Sequence, residues 1–349
     1  MKPVAVYIQD RLQGDWTHDS RVAVTMGRIG LDVHIVTLHC VVPWISLPIF
    51  QEPSRFAAIK RIASLRPDVL FCEGGAWHLL ALPFARHTWV RTPARSPSQS
   101  KDLLQRALLR QAEAVSICNP WERERWRSYR LVDLAYPLDN GFWSLPTERD
   151  PGFWERHGMP LPRGSVIACV GQIIRRKRPV ELFDALAILL QERDDLILVF
   201  AGETFEAEVE SALRARISVE GLTDRVHLPG LVQPREELRQ LLAWADIHVL
   251  NTLWESQCMA LYESLAAGVP TLIPAIPELT SAFPNLPAHR NGHELRRNVT
   301  ALLDDPQLGE RLVGSSKPHL EWAYNESHDR TVHRLCAEWL NGAVVETAP

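Results

Sequence analysis

No C-x-x-C pair, no H-E-x-x-H run, no G-x-G-x-x-G and no Walker loop occurs in these 349 residues. The six cysteines, Cys40, Cys72, Cys118, Cys169, Cys258 and Cys336, are scattered and mostly sit within apolar runs. That distribution argues against a disulfide framework or a zinc site and suits buried thiols in a reducing cytoplasm. The thirteen histidines keep no spacing with cysteine or acid that would build a metal centre, so no metal is expected. Long apolar runs are missing too. The most apolar stretch, 31–50, is broken by Asp32, His34, His39, Pro43 and Pro48, which excludes a membrane span. Met1-Lys-Pro-Val leads straight into a strand pattern rather than a signal peptide. No repeat of 20–50 residues and no low-complexity tract is found.

What is present is ordinary globular composition, 46% hydrophobic and 23% charged, in a chain long enough for two separate cores. Charge divides unevenly. Residues 1–150 hold 19 Lys and Arg against 15 Asp and Glu, whereas residues 151–349 hold 19 against 27. The mildly basic first half suits an acidic acceptor or an anionic membrane surface. No stripe of cations interleaved with aromatics appears, so nucleic acid is not expected as a partner.

The first half alternates strand and helix patterns as a parallel α/β sheet requires. Strands are expected at Val4–Ile8, Asp32–Leu38, Pro67–Cys72 and Ala114–Cys118, and helices at Asp19–Ile29, Phe56–Ser64 and Ser100–Ala112. Ligands of such sheets lie at the carboxyl ends of strands, so the loops at 9–19, 73–78, 91–99 and 118–122 should line a cleft. The second half continues with strands at 165–170, 196–202 and 247–250, and helices at 180–190, 206–219 and 235–243, the last of them preceded by Val226-His-Leu-Pro-Gly230.

Two segments carry chemistry. In the first, strand Ser165–Val170 ends at Gly171, and Gln172-Ile-Ile-Arg175-Arg176-Lys177-Arg178 runs into a helix with Pro179 at its first position. Stacked cations where the helix dipole is already positive are costly unless an anion comes to sit there. As an isolated run they would read as a solvated patch. In the second, strand Ile247–Leu250 enters a polar loop with Glu255, and a helix opens near Cys258, carries Glu263 and stops at Gly268 and Pro270. Free backbone N–H groups at such a mouth take phosphate, and the flanking carboxylates take sugar hydroxyls. Alone, the two acids would be unremarkable near a helix start.

Together the segments resemble the G-R-x4-K-G loop and the E-x7-E segment of retaining glycosyltransferases of family 4, glycosyl transferases group 1. Ala135–Trp143 resembles the turn that closes the first domain of that family. The resemblance covers most of residues 135–280, is weaker over 1–134, and is only general over the last sixty residues. It implies the GT-B fold, two Rossmann-like doubly wound parallel-sheet domains facing a cleft. The acceptor-binding domain would span 1–141, the donor-binding domain 142–320, and a helix at about 321–341 would pack back on the first.

The resemblance further implies transfer of a sugar from a nucleotide diphosphate-sugar to an acceptor with retained anomeric configuration. Lys177, with Arg175 or Arg176, would stabilise charge on the departing phosphate. Glu255 would take hydroxyls of the donor sugar and Glu263 those of the ribose. Gly171, Gln172, Ser256 and the amides of Gln257, Cys258, Met259 and Ala260 would hold the nucleotide diphosphate. The D-x-D of metal-dependent glycosyltransferases is absent, so a metal-free site without cofactor is the consistent expectation.

Departures from the family are visible. Gln172 stands where Arg is usual and Arg178 where Gly is frequent. The loop after the first strand has the single Gly14 instead of a Gly-Gly pair, followed by Asp19-Ser-Arg21. Arg91 occupies the apparent place of a strand-ending His, for which His78 is a substitute. Gly14, Arg21, His78 and Arg91 are thus the acceptor-side candidates. Eight of the twelve tryptophans fall in residues 1–154, which reads as core or domain-interface packing, with sugar stacking as the other use. Three other functions remain compatible: an epimerase or phosphorylase on the same fold, a non-catalytic sugar-nucleotide-binding scaffold, and a membrane-surface partner. The last would act through 56–66 and 100–112, peripheral at the inner face of the membrane, with liposome binding lost at high salt.

Overall fold

The computed structural model describes residues 2–12, 18–40, 47–72, 76–91, 99–134, 148–325 and 328–340. Gly14, Trp16, the 73–75 and 92–98 loops and the Ala135–Trp143 turn lie outside the described residues. The chain divides into two compact units, residues 1–137 with 323–349, and residues 138–322.

The first unit contains β1 (Val4–Leu12), α1 (His18–Arg28), β2 (Asp32–Cys40), β3 (Ile49–Gln51), α2 (Arg55–Leu65), β4 (Val69–Cys72) and α3 (Ala76–Leu79). It continues with β5 (His87–Arg91), α4 (Gln99–Leu109), β6 (Ala114–Ile117), α5 (Pro120–Arg125) and β7 (Leu131–Asp133). The second unit holds α6 (Gly152–Arg156), β8 (Val166–Val170), α7 (Pro179–Glu192), β9 (Ile197–Ala201), α8 (Ala207–Val219), β10 (Val226–Gly230) and α9 (Arg235–Trp244). There follow β11 (Ile247–Val249), α10 (Met259–Ala266), β12 (Thr271–Pro274), α11 (Pro277–Thr280), β13 (Ala288–His289), α12 (Gly292–Asp304) and α13 (Pro306–Asn325). The last helix, α14 (His328–Trp339), returns to the first unit and packs on α1.

Both sheets are parallel. Their strand orders are β3-β2-β1-β4-β5-β6-β7 and β10-β9-β8-β11-β12-β13. Each order reverses next to the unit's first strand, and in such sheets the crevice at that reversal takes the ligand. The alternation of strand side chains shows why the strands read as unbroken apolar runs. Ala5 and Tyr7 join one cluster with Ile35, Phe71 and Trp89, while Val6 and Ile8 join another with Val36, Leu70 and Val90. Residues adjacent along a strand face opposite sides, and both sides of this sheet are covered. Val332, Leu335 and Cys336 of α14 close the first face, and Ala58 and Ile62 of α2 the second.

Of the described tryptophans in residues 1–154, Trp77, Trp89, Trp126 and Trp154 are buried in the cores and Trp121 is half-buried. Two expectations need correction. The loop expected over 9–19 begins later, because β1 runs to Leu12, its Arg11 and Leu12 in register with His39 and Cys40 of β2. The helix expected at about 321–341 is two helices, α13 from Pro306 and α14 from His328. Among the described residues no helix is long and apolar enough to cross a membrane.

Candidate active site

β8 ends at Gly171, whose φ of 154° falls outside the comfortable range of a side-chain-bearing residue. Gly171 N–H donates to the Ala201 carbonyl at 2.9 Å, and the chain then crosses the end of β9. The close partner in that crossing is Gly202. A Cβ there would stand 1.9 Å from the Gly171 carbonyl oxygen, so only glycine fits. Gly202→Ala is therefore expected to destabilise the protein by about 3 kcal/mol or more, as backbone must shift to admit the methyl group. Urea denaturation measures this; a midpoint within error of the parent would contradict the close approach.

Arg175–Lys177 form one 3-10 turn, and Arg178 adopts left-handed geometry at φ 49°, ψ 48° before Pro179 opens α7. Glycine would occupy this region without a Cβ penalty, which Arg178 bears. The turn is stitched to the loop after β11. Leu253 N–H donates to the Arg176 carbonyl at 3.0 Å, and Asn251 Nδ2 to the Arg178 carbonyl at 3.3 Å.

Those bonds set the cationic loop against Glu255. Lys177 Nζ lies 2.5 Å and Arg176 Nη1 2.7 Å from the same oxygen, Glu255 Oε1. Arg176 also donates to the Trp254 carbonyl at 3.0 Å, and its guanidinium lies 4.5 Å over the Trp254 ring. The Glu255 side chain is only 9% exposed. Burial opposes its ionisation, yet the Lys177 and Arg176 charges outweigh that and hold the carboxyl below the usual range. Burial also works against the charge on Lys177, but the Cys258 sulfur and the Glu255 carboxylate carry its pKa upward. Lys177 and Glu255 are thus both charged at neutral pH.

Arg175 is not part of this cluster. Its side chain is 79% exposed and 4.0 Å from Glu208, so of the two arginines it is Arg176 that the fold brings to Lys177. Gln172 is exposed.

α10 begins at Met259 after Cys258, which caps it without a side-chain hydrogen bond. The amides of Met259 and Ala260 are first-turn groups with no acceptor in the helix. Ser256 and the buried Gln257 lead into this mouth. The helix ends through Gly268 at φ 81°, with Val269 N–H reaching back to the Ser264 carbonyl at 2.8 Å. Leu261, Tyr262 and Leu265 bury its core face, and the Tyr262 hydroxyl bonds His319 Nε2 at 2.8 Å. Glu263, 5% exposed, lies one turn further in and is bonded to Arg235 of α9.

Arg235 escaped the sequence reading. Its signal was a cation at the first position of a helix, against the dipole, in the run Gln233-Pro-Arg235-Glu-Glu. Of the acceptor-side residues, His78 is buried on α3 with its ring edge-on to Trp77, and Arg91 ends β5. Arg21 lies on α1, its side chain outside the described residues. Among the described residues no group of three or more His, Cys, Asp and Glu is arranged to hold a metal ion.

The loop and helix just described lie within a segment that matches a known family. Residues 160–313 match the model of the glycosyl transferases group 1 family. The sequence is also similar to alpha-D-kanosaminyltransferase of Streptomyces kanamyceticus, 26% identical over 227 residues, covering 61% of this chain and 57% of that protein. It is 28% identical over 201 residues to D-inositol 3-phosphate glycosyltransferase of Jonesia denitrificans, covering 54% and 46%. The chain spans about half the length of the curated relatives it matches. In structure it resembles Anabaena HepE, solved with UDP and glucose, at a TM-score of 0.78 and 14% identity over 97% of this chain and 99% of that one. The fold is the GT-B type of the glycosyltransferases.

Proposed function

We propose that this protein is a retaining, metal-independent glycosyltransferase that moves a sugar from a nucleoside diphosphate-sugar to an acceptor hydroxyl. The observation that carries this reading is the convergence of Lys177 and Arg176 on one Glu255 oxygen beside the open mouth of α10. Two cations supply the neutralisation that a departing diphosphate needs, and first-turn amides supply donors to its oxygens. When the donor enters, its diphosphate shares these cations with Glu255, leaving Glu255 Oε2 to accept from a hydroxyl of the transferred sugar. Glu263 accepts from the ribose, with Arg235 fixing its carboxylate.

The reaction follows a front-face course. The acceptor oxygen bonds the anomeric carbon on the side from which the C1–O bond to phosphate breaks. The acceptor proton passes to the departing phosphate oxygen, and no protein nucleophile intervenes. Stabilising charge as it develops on that oxygen is the dominant catalytic effect.

The test has two stages. A thermal-shift panel of UDP, GDP, ADP and dTDP identifies the base, since a ligand at a hundredfold excess over its Kd stabilises by roughly 2.7 kcal/mol. Donor sugars of that nucleotide are then followed for nucleoside diphosphate released only when acceptor is present. Binding without turnover across a broad acceptor panel would leave a sugar-nucleotide-binding protein. Activity is expected to survive EDTA, because Lys177 and Arg176 supply the positive charge; an absolute requirement for added Mn²⁺ or Mg²⁺ would refute the metal-free course.

A further inference from the structure

The first unit distributes its exposed apolar side chains unequally. Phe56, Leu80, Phe84, Leu103 and Leu104 are all between 43% and 78% exposed. All five stand on elements that cover one face of the sheet. Phe56 is on α2, Leu80 follows α3, Phe84 closes the turn Leu82–Phe84, and Leu103 and Leu104 are on α4. The inward side chains of these elements, Ile62, Leu79, Leu82 and Leu109, share one core cluster, and α3 packs on α4. Among the described residues, α1 and α14 on the opposite face expose no large apolar side chain. Single exposed leucines need no explanation, but their collection on one face marks a contact surface.

The charge on the same elements is mostly of one sign. α2 carries Arg55, Lys60 and Arg61 and no acid, and Arg66 caps its end. Arg86 follows the turn after α3, and Arg110 follows α4. Arg61 is paired with Glu52 at 2.9 Å. Arg55, Lys60, Arg66, Arg86 and Arg110 are exposed and, among the described residues, have no acidic partner. Cations left without an internal counter-charge, set around outward phenylalanines and leucines, complement an anionic lipid surface. Headgroup phosphates take the charges, and the acyl boundary takes the apolar side chains.

We propose that this face of the first unit docks on anionic phospholipid bilayers. The helices expected over 56–66 and 100–112 form two parts of it, as α2 and α4, and the fold adds Leu80, Phe84 and Arg86 from the segment between them. The bilayer is favoured over a folded acidic partner because the apolar side chains project outward from three separate elements, with the cations dispersed among them. Such an array needs a surface that adapts to it rather than one fixed counterpart. Docking stands independently of the transferase reading, since it is measured without donor or acceptor.

The test is flotation of the full chain with vesicles of phosphatidylcholine alone and of phosphatidylcholine mixed with phosphatidylglycerol. Binding is expected on the mixed vesicles, about tenfold or more weaker on the neutral ones, and falling as salt rises. Leu103→Gln combined with Leu104→Gln leaves the charge unchanged and should weaken binding about tenfold. Arg55→Gln, Lys60→Gln and Arg86→Gln together should weaken it about a hundredfold, roughly fivefold for each charge. All these positions are exposed, so unfolding midpoints should stay near that of the parent. Leu161→Gln combined with Val219→Gln, at exposed apolar positions of the second unit, is the control and should leave binding within about twofold. Failure to bind mixed vesicles, equal binding to both kinds, or binding untouched by either set of substitutions would overturn the proposal. A dimer in sedimentation that Leu103→Gln dissolves, without vesicle binding, would assign the face to a second copy of this chain instead.

Discussion

Lys177→Ala is expected to lower kcat about 10²–10³-fold while the protein stays folded. The ammonium sits 2.5 Å from Glu255 Oε1 in a nearly dry pocket, where a charge acts far more strongly than in water. Its removal leaves Glu255 paired with Arg176 at 2.7 Å, so the buried carboxylate is not abandoned. The stability cost is then that of one charged hydrogen bond, roughly 1.5–3 kcal/mol. Turnover and thermal unfolding, measured together on parent and variant, separate the two effects. A variant with near-parental kcat would remove Lys177 from the phosphate clamp. Lys177→Arg offers a second check. It keeps the charge but not the compact ammonium, so partial activity is expected.

Glu263→Gln is expected to weaken binding of the free nucleoside diphosphate about tenfold or more, whereas Glu255→Gln chiefly lowers turnover. A carboxylate bonded to ribose hydroxyls contributes roughly 1.5–3 kcal/mol per bond, more than a neutral amide supplies. Glu263 already holds Arg235, so the neutral variant also weakens that ion pair. Arg235→Gln is the control that isolates this contribution. If the ribose contact is real, Glu263→Gln weakens the nucleotide more than Arg235→Gln does. Glu255 lies before the helix, toward the transferred sugar, and its neutral variant should bind bare nucleotide almost as the parent does. Calorimetry on the three variants decides. Parental affinity in Glu263→Gln with weakened affinity in Glu255→Gln would exchange their roles.

Sequence alone went far wherever a local rule governs the outcome. Two-sided burial makes parallel strands visible as apolar runs, so β1, β4, β8 and β9 were legible. Pro179 at a first helical position and Gly268 past a last one fixed the ends of α7 and α10. The cationic loop and the two acids were legible because each violates a local preference or sits at a chemically open helix end. Short strands such as β3 and β7, three residues each, escaped, since their pairing is set by neighbours in the sheet rather than by their own pattern.

Which groups meet was decided only by the tertiary structure. The sequence left Arg175 and Arg176 equivalent; the bonds from Leu253 and Asn251, some seventy-five residues downstream, turn Arg176 toward Glu255 and leave Arg175 in solvent. Gly202 gives no sign in the sequence that its α-hydrogens face the Gly171 carbonyl. The Arg235–Glu263 pair likewise arises from chain segments far apart in sequence. The composition and periodicity of this chain determined the sheets, the helices and the chemistry of the two loops, because those depend on a residue and its near neighbours. Partners, burial and the orientation of each charge depend on contacts across the fold, and no local pattern encodes them.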